Sequence, residues 1–274
     1  MPPLRGCVMT VVTLTTDFGL EDGYTGVMKG VMLSIDSSLS IVDITHNIRP
    51  QALVQAAYIL GAAYPHFPEG SIHVCVVDPG VGSQRKPLVI RAGGRYFLGP
   101  DNGVFTRVFM RHPDFEAHEI TNRERMAERI SFTFHGRDIF APSAAHLAQG
   151  ATLETFGPRV LEPVRADADD ARLDAPGVIK GAIVYIDHYG NAITNIDIRL
   201  FETVMREGSY SGFEVFHHAG RVSSILRSYN EAVDMTALCV TVGSWNTLEF
   251  FTRLGHAASI HGLCVNDQVQ VRFR

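Results

Sequence analysis

The chain has 274 residues, 46% of them apolar and 19% charged, and a net charge of −5 from 24 basic and 29 acidic side chains. That length is generous for one hydrophobic core and comfortable for two. The acidic balance argues against a broad phosphate-binding face and so against a nucleic-acid partner, and no apolar run approaches the roughly 20 residues that cross a bilayer.

Near the N-terminus, Arg5 precedes a short apolar stretch that runs into Thr15-Thr16-Asp17 without the small-residue cleavage site of a signal peptide. It reads as a ragged start, with Met9 an alternative first residue, leading into a first strand. Residues 11–15 are a β-branched run, a buried strand. Tyr24, Val27, Met28, Val31, Met32 and Ile35 recur at three- and four-residue spacing, which predicts a helix face. Residues 41–44 form a second strand, and residues 52–64 a second helix ended by Pro65. Residues 72–77 are apolar almost throughout. A strand buried on both sides belongs to a parallel sheet covered by helices. Leu88-Val89-Ile90 and Tyr96-Phe97-Leu98 flank Gly93-Gly94 as a hairpin. A further helix follows Arg137, with Pro142 in its first turn, and ends at Gly150.

Beyond about residue 162 the composition changes. Residues 164–172 are polar and acidic, and Pro163 and Pro176 bracket them, the signature of a linker. Short strands follow at 178–186, 192–196, 213–216, 238–242, 248–251 and 269–273, which suggests a small β-barrel or sandwich. The expected organisation is an α/β fold: an N-terminal domain at 9–163 with a mostly parallel sheet flanked by helices, a linker at 164–176, and a C-terminal β domain at 177–274. Cys7, Cys75, Cys239 and Cys264 are scattered without a C-x-x-C pair. Reduced, mostly buried thiols of a cytoplasmic protein are expected, not a zinc site or disulfide framework.

Four stretches carry candidate chemistry. In Asp78-Pro79-Gly80-Val81-Gly82-Ser83-Gln84-Arg85, a carboxylate at a strand end meets a Gly-rich turn and a guanidinium. Such a pair holds a small polar molecule such as water, or simply caps the turn as a salt bridge. His135 precedes a helix and either exchanges a proton or holds a loop. Asp17 follows the first strand, where a carboxylate binds ribose hydroxyls or terminates the strand. Asp187 to Asn191 and Gly243 to Asn246 read as turns; Asn191 offers both donor and acceptor. Open parallel sheets bind ligands beyond the carboxyl ends of their strands, which places Asp17 and Asp78 near one rim. His217-His218 is a tempting metal pair, but neighbours on a strand point to opposite faces. Walker, dinucleotide, zincin and nucleophile-elbow motifs are all missing.

Taken in order, Thr-Thr-Asp-Phe-Gly at 15–19, Asp-Pro-Gly-Val-Gly-Ser-x-Arg at 78–85, Phe-His-Gly-Arg-Asp-x-Phe-Ala-Pro at 134–142, Asp-x-Tyr-Gly-Asn at 187–191 and Ser-x-Asn-x-Leu-Glu at 244–249 resemble one family over nearly the whole chain. It is the S-adenosyl-L-methionine (SAM) hydrolases, or SAM hydroxide adenosyltransferases, relatives of fluorinase and chlorinase. The resemblance implies a C-terminal β-barrel and a homotrimer whose active sites lie between the N-terminal domain of one subunit and the C-terminal domain of the next. It maps a catalytic triad onto Asp78, Arg85 and His135 and ribose binding onto Asp17. Methionine binding falls on Asp187 and Asn191, further substrate contacts on Ser244 and Glu249, and the adenine edge near Ala257. No metal and no cofactor are implied, since SAM is the substrate.

Two departures separate this chain from the halogenases, which carry Tyr-Pro at the place of Asp78-Pro79 and a serine at the place of Gly136. A carboxylate repels a halide and hydrogen-bonds water. The expected activity is therefore hydrolysis of SAM to adenosine and L-methionine. The alternatives are a halide-dependent adenosyltransferase, a non-catalytic adenosine or SAM binding protein, and a metal-dependent phosphohydrolase built on Asp17, Asp43 and Asp78.

Overall fold

The computed structural model of the protein describes residues 10–166 and 171–274. Cys7, Met9 and residues 167–170 of the expected linker lie outside the described residues. The chain divides into two compact units between Ala166 and Asp167.

The first unit is a sheet with helices on both faces. Its strands are β1 (Val11–Thr16), β2 (Ser40–Thr45), β3 (Ile72–Val76), β4 (Pro87–Ala92), β5 (Arg95–Pro100) and β6 (Glu116–Glu119), and its helices are α1 (Tyr24–Ile35), α2 (Leu53–Ala63), α3 (Thr106–Arg111) and α4 (Ala141–Ala148). The strand order is β2-β1-β3-β5-β4-β6. The pairs β1–β2, β1–β3 and β3–β5 are parallel, while β5–β4 and β4–β6 are antiparallel. The Gly93-Gly94 hairpin causes that reversal: both glycines hold positive φ, +54° and +72°, as a tight two-residue turn requires.

Alternation along β3 fills two cores at once. Val74 and Val76 join Val12 and Leu14 beneath Met28, Met32, Phe140 and Ala144 of one helical layer. Cys75 and Val77 face the other way, against Ala56, Leu60, Val108 and Phe109. The stripe predicted on α1 is wider than the face that is buried: Met28 and Met32 are fully covered, but Val27 is 44% exposed. Pro65 does not terminate α2 directly. The helix stops at Ala63, and Pro65 sits in a single 3-10 turn at Tyr64–His66.

The second unit contains β7 (Arg172–Ala175), β8 (Val178–Ile186), β9 (Ala192–Asp197), β10 (Phe213–His217), β11 (Gly220–Val222), β12 (Ile225–Leu226), β13 (Cys239–Val242), β14 (Thr247–Phe251) and β15 (Gln268–Phe273), with α5 (Ile198–Glu207) and α6 (Ala257–His261). Its order, β11-β10-β15-β8-β9-β14-β13-β12 with β7 beside β8, forms a nearly closed, barrel-like sheet. The long β8 joins the two halves: its first part pairs with β15 and its last part with β9. Ile179, Ile183, Ile196, Val215, Val240, Phe250, Val269 and Val271 make the interior.

Further features differ from the sequence reading. Residues 172–175, expected to be linker, pair with β8 as β7. The segment after β9, to which the sequence reading assigns no element, is helix α5: Asp197 caps it by accepting the Arg199 N–H at 2.8 Å, and Phe201 and Val204 bury one side. The described thiols are not mostly buried: Cys75 is buried, Cys239 partly covered and Cys264 exposed. Cys75 sits inside a two-sided strand, whereas Cys264 lies in a loop. No helix among the described residues is long and apolar enough to cross a membrane.

Leu14 is fully buried at the middle of the sheet. Replacing it with alanine is expected to cost about 2–5 kcal/mol, read from the urea midpoint of the N-terminal unit.

Candidate active site

The chain leaves β3 through Val77 and turns at once. The Val81 N–H bonds the Asp78 carbonyl at 3.2 Å and the Ser83 N–H the Gly80 carbonyl at 3.1 Å, so the loop folds back on itself. Gly82 makes this possible. Its φ is +78°, and a Cβ there would lie 2.4 Å from the Phe132 carbonyl oxygen. The turn thus packs directly on the segment that leads to His135.

The fold-back lays Arg85 along Asp78. Arg85 Nε donates to Asp78 Oδ1 at 2.9 Å and Nη2 donates to Oδ2, a bidentate pair. Nη2 also donates to His135 Nδ1 at 2.6 Å. The two charged side chains are only 8% and 5% exposed. Phe140 lies 5.7 Å from the guanidinium carbon and walls one side. Arg85 Nη1 is buried and has no hydrogen-bond partner among the described residues. A buried donor left unpaired costs free energy, and an oxygen placed beside it recovers that cost.

His135 opens a π-helical turn, Gly136–Phe140, that runs into α4, a local widening often found at functional sites. Because Nδ1 accepts from Arg85, its lone pair lies there. Burial, then the neighbouring Arg85 charge, lowers the His135 pKa from its ordinary 6.5, against an opposing pull from Asp78 and Asp138. Gly136 is tightly enclosed: a Cβ would meet Met28 Sδ at 3.0 Å and the Phe134 ring at 3.2 Å. Arg137 and Asp138 pair with each other, and Asp138 Oδ2 accepts the Ser131 N–H at 2.8 Å, bracing the loop before His135. Burial alone would raise the Asp138 carboxyl, but the Arg137 and Ser131 hydrogen bonds outweigh it and hold it low.

Asp17 ends β1 beside β3, at the same sheet edge as Asp78, and its Oδ2 accepts the Gln51 N–H at 2.8 Å. Asp43 lies within β2 and is paired with Lys29 at 2.6 Å. Asp17, Asp43 and Asp78 therefore each answer to a different partner and do not form a metal cluster. His217 and His218 are a correction to strand alternation: β10 ends at His217, the chain turns, and the rings come to 4.0 Å. The Ala219 N–H donates to His217 Nδ1 and Nε2 faces Asp267, so the ring clasps the turn.

The remaining predicted residues belong to the second unit, where a cavity of about 850 Å³ is lined by Asp187, Asn191, Ser244 and Glu249 among others. Asp187 Oδ1 accepts the Tyr189 and Asn191 N–H groups at 2.9 and 2.8 Å, and Asn191 Nδ2 donates to Oδ2 at 3.2 Å. Gly190, φ +84°, closes this turn. Ala257 is buried at the start of α6; its neighbour His256, not Ala257 itself, lines the cavity. Sequence reasoning missed Tyr185 and Tyr229. Tyr229 comes from a loop with no periodic signal, yet its hydroxyl donates to Glu249 Oε1 at 2.5 Å. Burial, with Asp187 adding, raises the Glu249 carboxyl despite that hydrogen bond.

Comparison with known proteins covers both units. Residues 12–157 match the SAM hydroxide adenosyltransferase N-terminal domain and residues 181–270 the corresponding C-terminal domain. The chain is 36% identical over 263 residues to a Thermus thermophilus protein named (R)-S-adenosyl-L-methionine hydrolase, covering 93% of this chain and 96% of that one. A Methanocaldococcus jannaschii protein of the same name is 36% identical, covering 98% of each. A Nocardia brasiliensis fluorinase is 29% identical over 68% of this chain and 71% of its own. A crystal structure from Thermotoga maritima superposes with a TM-score of 0.86 at 34% identity, covering 96% of this chain and all of that one.

The two turn glycines make different demands. A Cβ on Gly80 would have only ordinary contacts, the nearest 3.4 Å from Ser83 Oγ. Gly82→Ala is expected to cost roughly 1–3 kcal/mol through its backbone, and Gly80→Ala under about 1 kcal/mol, compared by thermal melts of the two variants.

Proposed function

The chain belongs to the SAM hydroxide adenosyltransferase family, and from that premise we propose that it hydrolyses S-adenosyl-L-methionine to adenosine and L-methionine. One observation carries the reading: a buried carboxylate, guanidinium and imidazole converge, with Arg85 Nη1 left over to hold an oxygen.

The chemistry asks little else of the protein. The sulfonium makes C5′ electrophilic and departs as a neutral thioether, so no acid and no metal are needed for the leaving group. Water attacks C5′ in line with sulfur; the C5′–S bond breaks and its electrons go to sulfur. The difficulty is a nucleophile whose pKa in bulk is about 15.7. Arg85 Nη1 donates to the attacking oxygen and stabilises its developing charge. Asp78 is the proton acceptor, since a carboxylate keeps further lone pairs after taking two hydrogen bonds. His135 is a positioning residue: its Nδ1 is committed to Arg85 and holds the guanidinium in place. A chloride or fluoride would face the Asp78 carboxylate, which disfavours the halogenase alternative.

Asp17 accepts the ribose hydroxyls, Asp187, Asn191, Ser244 and Glu249 hold the methionine end, and backbone near Ala257 meets the adenine edge. The enzyme works in the cytoplasm, without a cofactor, as a homotrimer in which one subunit supplies the triad and another the barrel cavity. Relatives are named for the R epimer at sulfur, and this chain acts on that epimer too.

Asp78→Asn is expected to lower kcat by about 10²–10⁴-fold while SAM still binds, measured as adenosine release in chelator beside calorimetric titration; undiminished turnover contradicts the role, and binding without turnover by the native chain leaves a sensor. The pH profile has a definite sign. Only neutral His135 accepts from Arg85, and its pKa is lowered from 6.5, so kcat/KM is expected to fall on acidification with a midpoint below pH 6.5. An acid limb centred above pH 6.5 contradicts that arrangement.

A further inference from the structure

The cavity of the second unit has a one-sided charge. Among the described residues that line it, Asp187 and Glu249 are carboxylates, Tyr185, Tyr189, Tyr229 and Trp245 are aromatic, and none is lysine or arginine. Trp245 stacks on Tyr185 with ring centroids 5.1 Å apart. Glu249 is 6% exposed; Oε1 takes the Tyr229 hydroxyl, and Oε2 accepts from no group among the described residues. The Glu249 carboxylate is poorly solvated in this aromatic pocket, and the Asp187 charge adds to its cost of ionisation until a cation arrives. Aromatic faces add to that attraction. An anion entering the same space meets only neutral donors such as the Ser244 hydroxyl. His256 offers little more, because its Nδ1 accepts the Ser259 N–H at 3.1 Å.

We propose that this cavity selects an ammonium group and makes no demand for a carboxylate, so that sulfonium nucleosides carrying a plain aminopropyl tail are substrates alongside S-adenosyl-L-methionine. The substrate half rests on the hydrolase reading; the ammonium half rests on the cavity alone. With decarboxylated S-adenosylmethionine, water oxygen bonds C5′, the C5′–S pair goes to sulfur, one water proton stays on the 5′-hydroxyl and the other is released. The products are adenosine and 3-(methylthio)propylamine.

Trp245 is the only tryptophan of the chain, so its fluorescence reports cavity occupancy without any turnover. The full chain is titrated, with and without adenosine, against three ligands sharing one thioether stem: methionine, 3-(methylthio)propylamine and 3-(methylthio)propionate. Losing contacts to neutral donors costs about tenfold at most, so the amine is expected within that factor of methionine. Replacing the cation by an anion beside buried Glu249 and half-buried Asp187 costs more than roughly 100-fold, so the propionate is expected to bind at least that much more weakly than the amine. Propionate binding as tight as the amine, or an amine bound more than roughly 100-fold more weakly than methionine, overturns the proposal. Glu249→Gln is expected to narrow the gap between amine and propionate by more than tenfold; an unchanged gap in a folded variant removes Glu249 from the recognition. Adenosine release from decarboxylated S-adenosylmethionine, supplied as both epimers at sulfur, is expected at a kcat/KM within about tenfold of that for SAM. Hydrolysis of SAM alone refutes the substrate claim. Hydrolysis of neither, with the amine still perturbing Trp245, refutes the hydrolase reading and leaves the cavity assignment standing.

Discussion

The buried pairing of Asp78 with Arg85 is the constraint around which the first unit is arranged. An ion pair this well covered is stable only when its geometry is good and its remaining polar atoms are satisfied. The bidentate contact and the bond to His135 meet most of that requirement. Arg85 Nη1 does not share in it. The site is therefore held stiffly by its own electrostatics, with one strong donor that no described residue engages.

Backbone geometry fixes that pair before any side chain chooses a rotamer. Parallel pairing of β1 with β3 sets Asp17 and Asp78 at one edge of the sheet. Gly82 lets the turn close on the Phe132 carbonyl, and the π turn carries His135 toward Arg85. A turn one residue longer, or an ordinary helical start at residue 136, would move a member of the cluster away. The enclosure of Gly136 has a chemical consequence as well: little room remains beside the site for a side chain there.

Much of this was legible in the residues themselves. The β-branched first strand, the doubly buried third strand and the Gly-Gly hairpin each obey a local rule, and each appears in place. The Asp78-to-Arg85 spacing announced a fold-back because the turn is Gly-rich, although only Gly82 takes the left-handed backbone that needs glycine. What stayed hidden depends on long-range packing. Tyr229 reaches Glu249 from an irregular loop twenty residues away in sequence, and no periodicity records such a meeting. Helix α5 was obscured by the strands around it, although Asp197 and the spacing of Phe201 and Val204 mark it. His217 and His218 misled because alternation ends where the strand does. Ala257 took its place from the resemblance, and its burial leaves only backbone to act.

The central claim is that Arg85 Nη1 holds the oxygen that attacks C5′. A crystal structure of the chain with adenosine bound tests it most directly, because the 5′-hydroxyl of the product is that oxygen. The account predicts the 5′-oxygen at about 2.7–3.2 Å from Arg85 Nη1, with Asp78 and His135 still in contact with the same guanidinium. Adenosine bound with its 5′-oxygen turned away from Arg85, or Arg85 Nη1 paired to some other group, would contradict it.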